Sequence, residues 1–380
     1  MRELSLQYFQ EKKTSQKDGQ YFDNGKIKES AKEIDRMYGC FFGNILGDAL
    51  GAPFEFSPVQ YNRENCTILD FSDPTIWSSR RGKTIKPGQW TDDTAMMLCL
   101  SDSLLIHNKL KPTDLRLRFL NWWHFGYCNA FGYDEDRDDK QSIGLGSIVS
   151  ASLDEFQKSK SKYTTYMDTA RSSGNGSIVR CGCIPLFCQT PKEAERLAYQ
   201  QSKTTHTGEE AAECCRLLVH LMLQGVSGDG SVATALQRTQ AAFSSPLYSI
   251  QCLLHSKQEE HHQDNQGLAL EDRNWDWKAP HFRYAPGRVA QNKTYIGSYA
   301  MDAMAMCLHC VFHSDSFEGA LVKAANLCGD ADSVCAVVGQ VAGSIYGLSE
   351  IKEEWLEAVF RWDPKGDLLL RAYKLIHQMK

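Results

Sequence analysis

Residues 39–56 read GCFFGNILGDALGAPFEF, and the spacing of their glycines decides how the rest of the chain is read. Gly39, Gly43, Gly47 and Gly51 recur every fourth residue, so on a helix they line up along one face. Each glycine lowers helix propensity by roughly 1 kcal/mol relative to alanine. A helix carrying four of them needs a compensation, and close packing of a second backbone against the bare face is the natural one. Residues 327–347, LCGDADSVCAVVGQVAGSIYG, supply the partner, because Gly339, Gly343 and Gly347 repeat the spacing. Asn44 and Asp48 within the first segment exclude the membrane version of this pattern. The sequence therefore predicts two tightly packed central helices.

Outward from this pair, most segments place apolar residues three and four apart. DDTAMMLCLSDSLL, PKEAERLAYQQS, GEEAAECCRLLVHLML, GSYAMDAMAMCLHCVF and FEGALVKAANL all read as helices, and alternating strand-like runs are almost absent. The expected fold is an all-α bundle. Residues 1–33 are polar and read as an extension, residues 34–380 as one helical domain, and the polar, aromatic stretch 255–295 as a long loop or insertion near a site. A chain of 380 residues with 42% hydrophobic content can bury a sizeable core. Its net charge of -5, without a dense basic block, lacks the footprint of a nucleic-acid binder. No stretch approaches the length of a membrane span, so a soluble, cytoplasmic protein is expected. The 14 cysteines sit in apolar segments and suit reduced core thiols; Cys307 and Cys310, around His309, read as one buried helix face rather than as a zinc or redox pair.

The chemistry gathers at two acidic helix starts. In GQWTDDTAMM, Thr91, Asp92, Asp93 and Thr94 stand where a loop becomes a helix. Alone, this motif reads as an N-cap threonine with acids at the positive helix end. A second cluster, Asp330, Asp332 and Ser333, leads into the second glycine-ridged helix. If the two helices meet in the core, four carboxylates lie on buried helix ends, where repulsion calls for a shared cation or raised pKa values. All these candidate ligands are hard oxygen donors, which favours Mg²⁺ or Mn²⁺ over zinc, as one ion or as a pair. The glycine-rich runs SIGLGS (142–147) and SGNGS (173–177) are turns that also offer backbone N–H groups for cradling a diphosphate.

Taken in order, GCFFGNILGDALGAPFEF, WTDDTAM, GNGSIVR, THTGEEAAE, GSYAMDAMAM and GDADSVCAVVGQVAGSIYG closely resemble the ADP-ribosylglycohydrolase family, which includes the dinitrogenase-reductase-activating glycohydrolases. The resemblance covers roughly residues 36 to 350. It implies two Mg²⁺ ions in a central cleft with ADP-ribose over them, Mn²⁺ being a possible substitute. Thr91, Asp92 and Asp93 match the first metal motif, and Asp330, Asp332 and Ser333 the second, serine standing where many members have threonine. Glu55 matches a glutamate that assists hydrolysis in part of the family. Asp48 reads as a supporting or structural acid. Gly144, Gly146, Ser147, Asn175 and Gly176 match positions lining the ADP-ribose cleft, while His206 and Tyr299 are further candidates for ligand contact or for capping and core packing.

Cleavage at the ribose C1″ passes through an oxocarbenium-like state and needs an oriented water, a base and charge stabilisation. Glu55 or one of Asp92, Asp93 and Asp332 is expected to be the base, with metal-bound oxygens orienting ribose and water. ADP-ribosyl-arginine is the first expected substrate, ADP-ribosyl-serine the second and a small ADP-ribose conjugate the third. In the arginine-directed branch an aspartate often stands where this chain has Ser142; Asp138 and Asp139 lie nearby, and read foremost as a solvated loop. Two other classes stay open, the first of them through the same resemblance. The J1 crystallins of lenses resemble the enzymes yet serve as structural proteins, and a metal phosphohydrolase would release AMP instead of intact ADP-ribose.

Overall fold

The computed structural model describes residues 30–59, 70–77, 85–167, 172–188, 190–259, 274–282 and 296–377. Helices of two turns or more are α1 (Ala31–Gly51), α2 (Asp92–His107), α3 (Pro112–Phe125), α4 (Ser147–Ser159), α5 (Pro191–Ser202) and α6 (Glu209–Val226). They continue with α7 (Val232–Ala242), α8 (Tyr248–His255), α9 (Ala300–Phe312), α10 (Phe317–Leu327), α11 (Ala331–Tyr346), α12 (Glu353–Phe360) and α13 (Asp367–His377). Among the described residues there is no sheet, only the isolated bridges Gly174 to Tyr299 and Gln258 to Asn274. The fold is all-α, as the periodicity predicts.

The glycine faces of α1 and α11 pack antiparallel. A Cβ built on Gly39 would lie 2.2 Å from the Gly343 carbonyl oxygen, one on Gly43 2.1 Å from that of Gly339, and one on Gly47 2.0 Å from that of Cys335. Carbonyls of each helix thus occupy the space where the other's side chains would stand. Gly347 departs from the expected ridge. It sits past the end of α11 at φ 92°, where a Cβ would strike the Asp35 carboxylate, so it terminates the helix while its carbonyl carbon still lies 2.9 Å from a Cβ built on Gly39.

The pair is buried on every side, α1 from Arg36 onwards and α11 to Ile345. Helices α2, α6, α9 and α10 pack around it. Arg36 of α1 closes the far end of α6, donating to the Val226 and Gly228 carbonyls at 3.2 and 2.6 Å. Gln340 of α11 reaches the Ile178 and Val179 carbonyls, fixing the segment that follows the SGNGS loop.

The expected extension over residues 1–33 lies outside the described residues through 29, and its last three residues belong to α1. Ser30 and Glu33 form a reciprocal capping box there. Of the expected 255–295 loop, 260–273 and 283–295 lie outside the described residues. The piece between them is anchored: Trp275 and Trp277 are fully buried, and their indole N–H groups donate to Glu259 and to the Leu253 carbonyl. Cys307 and Cys310 are fully buried on α9, in accord with a core face. No helix among the described residues is long and apolar enough to cross a membrane.

Candidate active site

The antiparallel packing of α1 and α11 brings the end of α1 beside the start of α11, and the start of α2 meets both. Asp48, Asp93 and Asp332 each present a carboxylate oxygen, and the three lie within 4.8 Å of one another. Glu55, Asp330 and Asp332 form a second such group. Asp332 belongs to both. Thr91 and Ser333 flank the groups in sequence and are buried; Asp92 is half-buried beside them.

Asp48 links the elements. Its carboxylate accepts from the Thr91 N–H and hydroxyl, the latter at 2.7 Å, and from the Thr94 N–H at 2.9 Å. An acid of α1 therefore caps α2. Thr91 occupies the N-cap position but makes no side-chain cap bond of its own, because the Thr94 N–H that its hydroxyl oxygen would accept is taken by Asp48. The supporting role expected of Asp48 is thus accompanied by a place in the first acid group.

Electrostatics follow from this crowding. Burial, then the charge of Asp332, pushes the Asp48 carboxyl up to about 6. Burial and neighbouring aspartates also hold Asp92, Asp93 and Asp330 well above the ordinary carboxylate range. Asp93 Oδ2 is buried without a hydrogen bond among the described residues. A hard cation fits this donor set: it would neutralise the repulsion and satisfy the orphaned oxygen.

The loops around the acids are tied to them. The Phe56 N–H donates to the Gly329 carbonyl at 3.0 Å and the Gly329 N–H to the Ser57 carbonyl at 2.9 Å, joining the loop after Glu55 to the loop before Asp330. Phe56 holds a φ of 62°, a conformation uncommon for a bulky residue. Asn175 donates through Nδ2 to Asp330 at 3.0 Å and to the Gly297 carbonyl at 2.9 Å. Gly144, at φ 95°, lies so close to Asp92 that a Cβ would fall 1.8 Å from Oδ1. Gly146 and Ser147 are exposed at the N-terminus of α4.

His206 lies beneath the SGNGS loop, its ring beside Gly174 and Gly176. Tyr299 is the N-cap residue of α9; its hydroxyl bonds to Glu210 and its half-buried ring sits 6.4 Å from Trp275. Ser142 turns inward, its hydroxyl donating to the Trp122 carbonyl at 2.5 Å. Asp138 and Asp139 are exposed, as a solvated loop requires. Sequence reasoning missed Arg180, Thr205 and Glu210, which the fold brings together with the candidates His206 and Tyr299.

A family model described as ADP-ribosylglycohydrolase matches residues 29–379. The chain is 26% identical over 330 residues to ADP-ribosylarginine hydrolase Tri1 of Pseudomonas putida (strain GB-1), spanning 86% of this chain and 74% of that protein. It is 25% identical to the ADP-ribosyl-[dinitrogen reductase] glycohydrolase of Rhodospirillum rubrum, over 85% and 89% of the two chains. With the ADP-ribosylhydrolase ARH3 of Mus musculus it shares 24% identity over 92% of this chain and 94% of that one. A solved ADP-ribosylglycohydrolase-related protein complex contains a chain that aligns with a TM-score of 0.64 at 26% identity, covering 91% of this chain and 100% of that one.

Proposed function

Because the chain belongs to the ADP-ribosylglycohydrolase family, we propose that it uses two Mg²⁺ ions to hydrolyse the bond between ADP-ribose and a protein side chain, with arginine the first acceptor and serine the second. It is an ADP-ribosyl-protein glycohydrolase by membership. The observation that carries the metal-dependent reading is the pair of acid groups sharing Asp332. Asp48, Asp93 and Asp332 would hold one ion and Asp330, Asp332 and Ser333 the other, with Thr91 and Asp92 as further oxygen donors. Mn²⁺, also a hard octahedral ion, would substitute.

The bound ions supply orientation of the ribose hydroxyls and electrostatic stabilisation. Glu55, half-buried at the edge of the second group, is the base. It takes a proton from the attacking water as the water oxygen bonds to the ribose C1″. The bond from C1″ to the acceptor nitrogen or oxygen breaks, and the acceptor leaves with the proton that Glu55 took from the water, which restores the carboxylate. Gly144, Gly146, Ser147, Asn175 and Gly176 line the ADP-ribose side of the cleft, where α4 presents uncapped N–H groups to a diphosphate. Arginine stands first because of the relatives named as ADP-ribosylarginine hydrolases.

The experiment is release of free ADP-ribose from arginine- and serine-modified proteins, run side by side with Mg²⁺ and with EDTA. Release from the arginine substrate that EDTA abolishes is the expected result. Release from serine alone reassigns the acceptor, AMP as product assigns a phosphohydrolase, and ADP-ribose binding without release leaves a binding or structural protein.

A further inference from the structure

Arg180 is fully buried and makes no ion pair among the described residues. Its guanidinium lies over the Phe119 ring, 4.7 Å from the centroid, and donates to Gln201 Oε1 at 2.6 Å and to the Gln201 carbonyl at 3.0 Å. It also donates through Nη2 to Thr205 Oγ1 at 2.9 Å. Thr205 Oγ1 in turn lies 2.8 Å from His206 Nδ1.

The direction of that last bond follows from the donor inventory. An arginine N–H only donates, so the Thr205 hydroxyl accepts from Arg180 and keeps one hydrogen to give. Thr205 is fully buried, and among the described residues His206 Nδ1 is the one remaining acceptor bonded to its hydroxyl. Were Nδ1 protonated, the hydroxyl hydrogen would be buried without an acceptor, which natural structures avoid. Nδ1 is therefore bare and the ring proton sits on Nε2. The ring stays neutral: burial, then Arg180 and Lys203, hold His206 down to about 3.

Nε2 makes no hydrogen bond among the described residues, although His206 is only 1% exposed. It faces the glycine loop, where a Cβ on either Gly174 or Gly176 would lie 3.5 Å from it. Ile148 and Val149 of α4 pack against the same loop, their side-chain carbons 2.9 Å from a Cβ on Gly174 and 3.3 Å from one on Gly176, so only glycines let the loop lie this close to the ring.

We propose that Arg180 and Thr205 are positioning residues which fix His206 with its proton on Nε2, aimed at an oxygen of the ligand above the 174–176 loop. The ligand half rests on the functional reading above; the tautomer half rests on the hydrogen bonds alone. Thr205→Val removes the relay at nearly constant shape, and Thr205→Ser restores the hydroxyl.

The test uses the full chain with ¹⁵N-labelled histidine, the His206 ring signals being identified by their loss in His206→Gln. Long-range ¹H–¹⁵N spectra of the wild type should show a bare Nδ1 and a protonated Nε2, those of Thr205→Val a tautomer mixture, and those of Thr205→Ser the wild-type pattern. Calorimetric titration with ADP-ribose and Mg²⁺ should show binding weakened about five- to tenfold in Thr205→Val and restored in Thr205→Ser. A wild-type ring protonated at Nδ1, or a Thr205→Val variant with unchanged tautomer and affinity, overturns the proposal. If Thr205→Val does not fold, the wild-type spectrum still decides the relay. Wild-type protein that binds no ADP-ribose overturns the ligand half together with the functional reading, while the spectrum separately decides the tautomer.

Discussion

Asp332 is the carboxylate that both acid groups use, so its loss separates a metal site from a chance gathering of acids. Changing residues that merely orient metal ligands commonly costs 10- to 100-fold in affinity or activity, and a ligand common to two ions should cost at least that. Asp332→Asn is expected to lower ADP-ribose release by at least about a hundredfold at saturating Mg²⁺. Asp139→Asn, on the exposed loop, should leave it unchanged. An Asp332→Asn enzyme with wild-type turnover would remove the basis for the site. At this scale the sequence shows the acids well, because Asp92, Asp93, Asp330 and Asp332 stand at helix starts beside dense apolar runs. Asp48 is legible only in part: a charge on a glycine-ridged helix signals a special role, but that its carboxylate caps another helix depends on how the two cross. The Arg180 relay is not legible, since Thr205 and His206 reach it through a loop with no periodicity.

The close approach of α1 and α11 rests on the absence of single atoms. A methyl on Gly43 would sit 2.1 Å from a main-chain oxygen, and backbone cannot rotate aside as a side chain can. Gly43→Ala is expected to destabilise the fold by about 3 kcal/mol or more, the upper range for an overpacked core. Gly146→Ala is the contrasting case, since nothing lies within 4 Å and its φ of -70° suits any residue. It should shift stability by less than about 0.5 kcal/mol. Urea denaturation of the two variants reads the difference, and equal effects would contradict the packing account. A four-residue glycine period is a strong signal because only backbone contact compensates for it. The 3₁₀ turns at Asn175–Ser177 and Cys181–Cys183 carry no comparable pattern, and their shape is imposed by partners such as Gln340.

For the whole molecule, the acid groups place function and stability in opposition. The raised pKa values of Asp48, Asp92, Asp93 and Asp330 mean that, above the ordinary carboxylate range near 4, the folded chain holds more protons than the unfolded one. Stability of the cation-free protein therefore falls as pH rises through those values. A cation bound to the folded state removes the repulsion. Thermal unfolding at pH 5 and pH 8, with EDTA and with Mg²⁺, should show the larger Mg²⁺ stabilisation at pH 8. A shift of equal size at both would mean that these carboxylates do not hold the ion. The all-α architecture is legible from apolar periodicity across the chain, and α1 begins at Ala31, within the stretch expected to be an extension. The burial of Trp275 and Trp277 was hidden by the polar residues around them, because burial there is set by helices distant in sequence.

The paired backbone bonds between residues 56–57 and Gly329 have a consequence for motion. Each loop holds the other through main-chain groups that only a proline at 56 or 329 would delete, and together they act as a buckle between the two loops. Unfastening one side unfastens both, so the strand of chain bearing Glu55 and the one bearing Asp330 share a single opening equilibrium. Any opening of the rim that keeps these two bonds also keeps the loop after Glu55 at a fixed distance from the loop before Asp330.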